Sequence, residues 1–440
     1  MKTIINLLVL SVFCCTAAAQ TDTLKLSLNQ AIQLGLENRF DAKGGALNIE
    51  MAKNKVVMSR KELLPDISVD GKITYHGQVE PTIISPGLLG FTQSQKIALG
   101  QKNNTAFTLE LDYAIYKPSL YTDIKIASNN MALEREKNKN LDINIKVEIS
   151  ESYDNVLLKS LQYEIARKNE NRYKEYYDLA NGKYSNGAML ENDMQQVELD
   201  YKNAKANTDK QKQNYLLSIQ NLKYKINVPL QSVILFTDSL QSSIEPNTRT
   251  IPSDDAILDR SEIKQLKIQQ LGYQLELKKA KQNYLPTLSL FANYTQLFQN
   301  EAFHYSDKFS WSPVSYVGVK LSIPISGSIK NTNQVRGVNL KLAQTDLEMK
   351  QKITDVQYEV QEAVTKLNNA KQNLAVAYDN YLLSQKVYEL KKQQYGLGSF
   401  SYEKLLDTEK SLSPTEQEYI TEVYDFLIAK INYQKAMGMY

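Results

Sequence analysis

Segments of the chain alternate apolar and polar residues with a period of two. Ile67, Val69, Gly71, Ile73 and Tyr75 alternate with Asp66, Ser68, Asp70, Lys72 and Thr74. Phe107, Leu109, Leu111, Tyr113 and Ile115 alternate with Thr108, Glu110, Asp112 and Ala114. Val317, Val319, Leu321, Ile323 and Ile325 alternate with Gly318, Lys320, Ser322 and Pro324. A further segment, Leu288 to Thr295, is rougher, because Phe291 falls among its polar positions. Successive side chains of a strand point to opposite faces, so each segment predicts a two-faced β-strand of about ten residues. Such strands suit a membrane barrel or the half-buried sheet of a soluble domain.

The remaining pattern is helical and unusually long. No Pro or Gly interrupts Ser119 to Ala180, and Gly337 is the single breaker between Ser328 and Tyr395. Helices of about 60 residues reach roughly 90 Å at their usual rise. In the second of them one stripe steps by three and four: Ile353, Val356, Val360, Ala363, Leu367, Ala370, Leu374, Ala377, Tyr381. Small Ala alternating with larger residues is the seam of a coiled coil. Shorter helices are expected at Leu28–Leu64, Leu190–Asn227, Asp259–Tyr284 and Ser401–Met437. In each half the two short helices, placed end to end, match the long one in length. A tube wall requires that equality and a globule does not.

The order of signals repeats once. Lys61-Glu62-Leu63-Leu64-Pro65 closes a helix and opens a strand, as does Gln282-Asn283-Tyr284-Leu285-Pro286. Tyr184-Ser185-Asn186-Gly187 answers to Tyr395-Gly396-Leu397-Gly398. Each half reads helix, strand, loop, strand, long helix, Gly turn, helix. This gives a first repeat over 21–257 and a second over 258–440, joined by the Pro-containing stretch Val228–Ser253. The fold class expected is mainly α with β and internal duplication. No late segment approaches the apolar length of a membrane helix, so any crossing is made of strands. Four strands cannot close a barrel, so strands in lipid demand oligomerisation. Three copies would supply twelve strands and twelve helical columns.

Composition narrows the chemistry. The net charge of the 440 residues is +3, which gives no electrostatic footprint for nucleic acid. Two His and two Cys leave little material for a metal or thiol mechanism. There are 28 Tyr against one Trp, and Tyr suits half-wet surfaces and membrane interfaces. Residues 1–20 read as a signal peptide: Lys2, an apolar run from Ile4 to Phe13, then Thr16-Ala17-Ala18-Ala19. Cys14 and Cys15 both lie inside it, and Phe13 before Cys14 disfavours lipidation. No phosphate loop, nucleophile elbow or zinc motif is present, so no catalytic, cofactor or metal residue is assigned. Phe303, Tyr305, Phe309 and Trp311, in the expected outer loop Gln299–Pro313, serve as interfacial anchors or pack that loop. The other outer loop expected is Glu80–Asn104.

In this order and duplication the sequence resembles the TolC-type outer-membrane efflux proteins over about residues 25–438. The most specific stretch runs from Gln394 through Tyr395, Gly396 and Gly398 to the Leu405-Leu406-Asp407 triplet. The resemblance implies a homotrimer in outer-membrane lipid, with a twelve-stranded transmembrane β-barrel and a long periplasmic α-barrel tunnel. It implies export through a tripartite efflux or type I secretion system, of small molecules ahead of metals or polypeptides, together with a periplasmic adaptor protein and an inner-membrane pump. The turns at Asn181–Gly187 and Tyr395–Phe400 would form the periplasmic tip and adaptor contact, through Gly182, Tyr184, Gly187, Tyr395, Gly396 and Gly398. Positive φ is expected at the glycines, where the backbone reverses. The resemblance also implies a gate, in which Tyr395 bonds Asp193 and three copies of Asp407 ring the axis. Two positions depart from the family pattern: Lys404 stands at a second ring position and Phe400 replaces a gate arginine. Under the competing reading Asp407 is a solvated helix residue. At the level of the whole chain, the competitors are a periplasmic adaptor and a fibrous coiled-coil protein.

Overall fold

The computed structural model describes residues 24–240 and 258–440, apart from 88, 89, 91, 326 and 398. The expected signal peptide, the boundary at 257, Pro246, Pro252 and Gly398 therefore lie outside the described residues. The first half contains β1 (Leu24–Leu26), α1 (Leu28–Asn38), α2 (Phe40–Lys61), β2 (Asp66–Tyr75), β3 (Pro81–Ile84), β4 (Gln95–Ala98), β5 (Asn103–Tyr116), α3 (Pro118–Ser185), α4 (Glu191–Lys225) and β6 (Ile234–Phe236). The second contains α5 (Ser261–Gln282), β7 (Thr287–Asn300), β8 (Trp311–Ser322), α6 (Gly327–Gly396) and α7 (Tyr402–Ala436). The two long helices have 68 and 70 residues. Among the described residues no helix is long and apolar enough to cross a membrane.

Contacts divide the chain into a helical unit (1–47, 137–263, 351–440) and a sheet unit (48–136, 264–350). In the helical unit the predicted seam of α6 is the buried one. Val356, Val360, Ala363, Leu367, Ala370 and Leu374 share a core with Ile420, Val423, Phe426 and Leu427 of α7 and with Leu158 and Ile165 of α3. A second core joins Leu26, Ala31, Ile145, Ile149, Tyr153, Leu222 and Ile226. Beside it β1 pairs in parallel with β6, which lies in the stretch that interrupts the helical pattern. The buried Tyr153 hydroxyl lies 3.0 Å from the Leu26 carbonyl and 3.0 Å from the Asp238 carboxylate, which also accepts from the Leu28 N–H at 2.8 Å.

One helix was expected over Leu28–Leu64, but it is broken at Arg39, whose ψ of 138° is extended. Side chains account for the break. The Arg39 guanidinium meets Glu148 of α3 at 2.6 Å and Asp41 at 2.7 Å, and Lys225 of α4 holds the same Glu148 at 2.5 Å. Asn227 donates to the Asn38 carbonyl at 2.9 Å, satisfying an acceptor freed where α1 stops. Just before the break α1 approaches α3 so closely that a Cβ on Gly35 would collide with Ile149.

The sheet unit holds one antiparallel sheet in the order β2-β5-β7-β8. Its register places Ile67, Leu111, Ala292 and Val317 in one row, and Val69, Leu109, Tyr294 and Ser315 in the next. The opposite face carries Ser68, Glu110, Asn293 and Tyr316, then Asp70, Thr108, Thr295 and Val314. The sheet is thus apolar on one side and largely polar on the other. Polar-face neighbours bond across strands, Thr108 to Thr295 at 3.0 Å and Asn293 to Glu110 at 3.3 Å. Phe291, the residue that spoiled the alternation, sits opposite Gly318, where a Cβ would come within 2.7 Å of its ring. The aromatic ring covers the missing side chain. Phe107 faces Gly71 in the same way on the other side of the sheet.

Two boundaries differ from expectation. The last strand was expected to reach Ile325 but ends at Ser322, which pairs with Thr287, the first residue of β7 after Pro286. Beyond it no partner strand remains. At the other end β7 runs on to Asn300, and β8 accordingly begins at Trp311 rather than Val317. The loop expected over Glu80–Asn104 contains the hairpin β3–β4, whose four-residue strands are too short to show a period. In the second loop Tyr305 and Trp311 pack on the buried Phe298, with centroids 4.7 and 5.3 Å away, while Phe309 is 96 % exposed.

Candidate gate at the helix-hairpin turns

The first turn of the helical unit closes α3 with a pair of nested hydrogen bonds. Ala188 N–H donates to the Lys183 carbonyl at 2.8 Å and Gly187 N–H to the Tyr184 carbonyl at 2.9 Å. This is a Schellman motif with Gly187 at the left-handed position, φ 71°. The second turn repeats the wider bond, from Ser399 N–H to the Gln394 carbonyl at 3.1 Å. By this correspondence Tyr184 matches Tyr395. Gly182 and Gly396 do not take the positive φ expected of them: both lie within helices, in α3 and at the last position of α6. A helix ends in one left-handed residue, and at the first turn Gly187 supplies it.

The turns share a core. Tyr176 and Ala180 of α3, Met194 and Val197 of α4, Tyr388 and Tyr395 of α6, and Leu405 and Leu412 of α7 cluster together. Tyr395 is 8 % exposed, whereas its counterpart Tyr184 is 41 % exposed. The Tyr395 hydroxyl accepts from Lys183 at 3.3 Å, and the same ammonium lies 4.7 Å from the Tyr395 ring centroid. The sequence reading did not anticipate Lys183. Asp193 occupies the first turn of α4, beside Glu191, where the helix dipole favours a carboxylate. It is exposed, as is Asp407 in α7. The Phe400 ring lies 4.7 Å from the Lys391 ammonium and 6.0 Å from that of Lys404.

Further along the same helices lies a charge cluster that sequence reasoning also missed. Arg172 of α3 reaches Glu409 of α7 at 2.9 Å and Glu416 of α7 at 3.2 Å. The two carboxylate side chains are only 1 % and 3 % exposed. Asn169 donates to Glu416 at 3.1 Å and accepts from Arg172. The Arg172 guanidinium stands 5.3 Å from the Tyr388 ring centroid. The Tyr176 and Tyr388 hydroxyls bond each other directly. Burial pushes the Tyr173 hydroxyl up to about 12 and raises those of Tyr176 and Tyr388 as well, so all three stay neutral. A signal was there to find. Leu405, Glu409, Leu412, Glu416, Ile420, Val423 and Leu427 step by four and three along α7, which seats two glutamates in an apolar seam.

The sequence profile described as "Outer membrane efflux protein" matches residues 253–439. Over 425 residues the chain is 22 % identical to "Probable outer membrane lipoprotein SilC" of Salmonella typhimurium, covering 93 % of this chain and 85 % of that protein. Residues 253–439 thus carry the pattern of the outer-membrane efflux protein family. The fold agrees along its length. CusC, in crystal structures of its folding and channel formation, superposes with a TM-score of 0.74 at 17 % identity, over 93 % of this chain and 91 % of that one. The Campylobacter jejuni CmeC outer membrane channel superposes at 0.74 and 16 % identity, over 93 % and 85 %. The Neisseria gonorrhoeae MtrE outer membrane channel, in its open state, gives 0.73 and 14 % identity, over 93 % and 88 %. Members of this family form trimeric channels that work with adaptors and inner-membrane pumps, and the protein is one of the outer membrane.

Proposed function

We propose that this chain is an outer-membrane channel subunit of a tripartite efflux system, and that three copies close one duct for small molecules. The observation that carries the reading is the register of the sheet. It exposes a continuous apolar face, with Val69 and Val317 each 72 % accessible, and pairs β2 and β8 on one side only. In water that face and those open edges would be an aggregation hazard. In lipid, with the edges joined to neighbouring copies, the apolar face is solvated and every edge is paired. We read the polar face as the channel lining. The chain does no chemistry in this account, and its partners are an adaptor and an inner-membrane pump.

The recurrence of helix, strand, strand, long helix and helix supports reading residues 21–257 and 258–440 as two repeats. We place the adaptor contact and the gate at the turns bearing Gly182, Tyr184, Gly187, Tyr395, Gly396 and Gly398. In the closed state Tyr395 bonds Asp193, with Lys183 as the cation between the two groups. Asp407 of three copies rings the axis. Tyr395→Phe is expected to raise single-channel conductance, and Asp407→Ala to abolish block by divalent cations. The reading as a whole is tested on outer membranes extracted in detergent. A trimer that dissociates only on heating, and that conducts in planar bilayers, is the expected result. A water-soluble periplasmic monomer would overturn it.

A further inference from the structure

The cluster around Arg172 has one cation for two enclosed acids. Arg172 donates from Nε to Glu409 Oε1 at 3.1 Å and from Nη2 to the same oxygen at 2.9 Å. Glu416 takes Nη2 at 3.2 Å and Asn169 at 3.1 Å. Glu409 Oε2 is buried with no hydrogen-bond partner. An ionised carboxylate spreads its charge over both oxygens, and burying one of them unbonded is costly. Among the described residues the charges that bear most on Glu409 are one cation, Arg172 from α3, and two acids, Glu416 from α7 and Glu389 from α6. From α3 and α6 the other titratable neighbours of the cluster are Tyr173, Tyr176, Tyr381 and Tyr388, all raised first by burial. From α4 comes Asp200, another acid, which acts on Tyr173. With both glutamates ionised, the cluster carries a surplus negative charge away from water.

We propose that Glu409 holds a proton while α3 and α7 are clamped together, and that losing this proton loosens the clamp and eases opening of the helical end. The proposal rests on the channel reading for its consequence, though not for the proton itself. Burial raises the affinity of Glu409 for its proton, and Glu416 and Glu389 add to that rise while Arg172 opposes it. The sign follows from linkage. A carboxyl held above its ordinary value favours the clamped state fully below that ordinary value, and the advantage is lost as pH rises through the raised value. The clamp is therefore strongest below the ordinary carboxyl range and weakens as pH rises above it. Its effect reaches the turns through Tyr388 and Tyr176, which share a core with Tyr395.

Two measurements on the full-length purified protein test this. The infrared band of a protonated carboxylic acid should persist above the ordinary glutamate range, be lost in Glu409→Gln and be kept in Glu416→Gln. In planar bilayers the open fraction of the wild type should climb as pH rises on the helical side, by up to about tenfold per pH unit for each linked proton. Glu409→Gln, a neutral stand-in for the protonated acid, should stay low and flat. A band that survives in Glu409→Gln, or pH curves that superimpose for the two proteins, would overturn the proposal. If neither protein conducts at any pH while the band still disappears in Glu409→Gln, the channel reading fails and the proton site stands.

Discussion

The sheet unit and the helical unit of this protein treat water in opposite ways. In the sheet unit Ile67, Val69, Val317, Val319 and Leu321 stand in the open, with no apolar layer of the described residues packed over them. In the helical unit apolar seams are covered and even charge is taken inside, as Arg172, Glu409 and Glu416 show. The contrast teaches that burial is not a single rule applied along a chain. A side chain seeks the medium that its segment meets, and the two units are built for different media. In the proposed channel the alternation is the reverse of a soluble one-sided sheet, because the apolar face is turned outward to lipid.

The buried charges of the helical unit carry the largest expected effect. Arg172→Met leaves Glu416 without its cation and Glu409 without its donor, a loss of about 3–5 kcal/mol for a buried pair broken on one side. The expected outcome is a lowered melting temperature and early proteolysis within α3 and α7. A melting temperature unchanged from wild type would mean that water reaches the cluster. The sheet offers the next largest effect. Val69→Arg would be within about 0.5 kcal/mol of neutral at an exposed site in water, but costs roughly 2–4 kcal/mol near the middle of a bilayer. Loss of the heat-modifiable trimer from the membrane fraction is expected. Gly318→Val forces the Phe291 ring from its place opposite, an overpacking of about 1–3 kcal/mol. It should reduce trimer yield, and Phe291→Ala in the same chain should recover part of it. The smallest effect separates two glycines of one hairpin. Gly187→Ala, at φ 71°, is expected to lose about 1 kcal/mol, whereas Gly182→Ala, in a helix, gains up to about 1 kcal/mol. Thermal melts of the two variants should shift in opposite directions.

Much of the fold was legible because its signals are long. A period of two over ten residues and a seam sustained over several turns of α6 leave few alternatives, and the strands and both long helices lie close to where the pattern placed them. Short or broken features were less legible. The interruption at Arg39 depends on Glu148 and Lys225, residues over a hundred positions away, and nothing local announces it. The β3–β4 hairpin is four residues per strand, below the length at which a period can be read. At the turns the glycines were visible but not their division of labour, since one left-handed residue suffices to end a helix. Lys183 against Tyr395 needed two helices to be brought together.

Periodicity along the chain determined the types of the long elements, the two-sidedness of the strands and the position of the turns, since those follow from the backbone repeat and from residues that permit or forbid particular φ. The tertiary structure alone decided which strand lies beside which, where Phe291 finds room, and which acids share Arg172. Those are choices among distant partners, settled by packing and by how many charges one enclosed cation can neutralise.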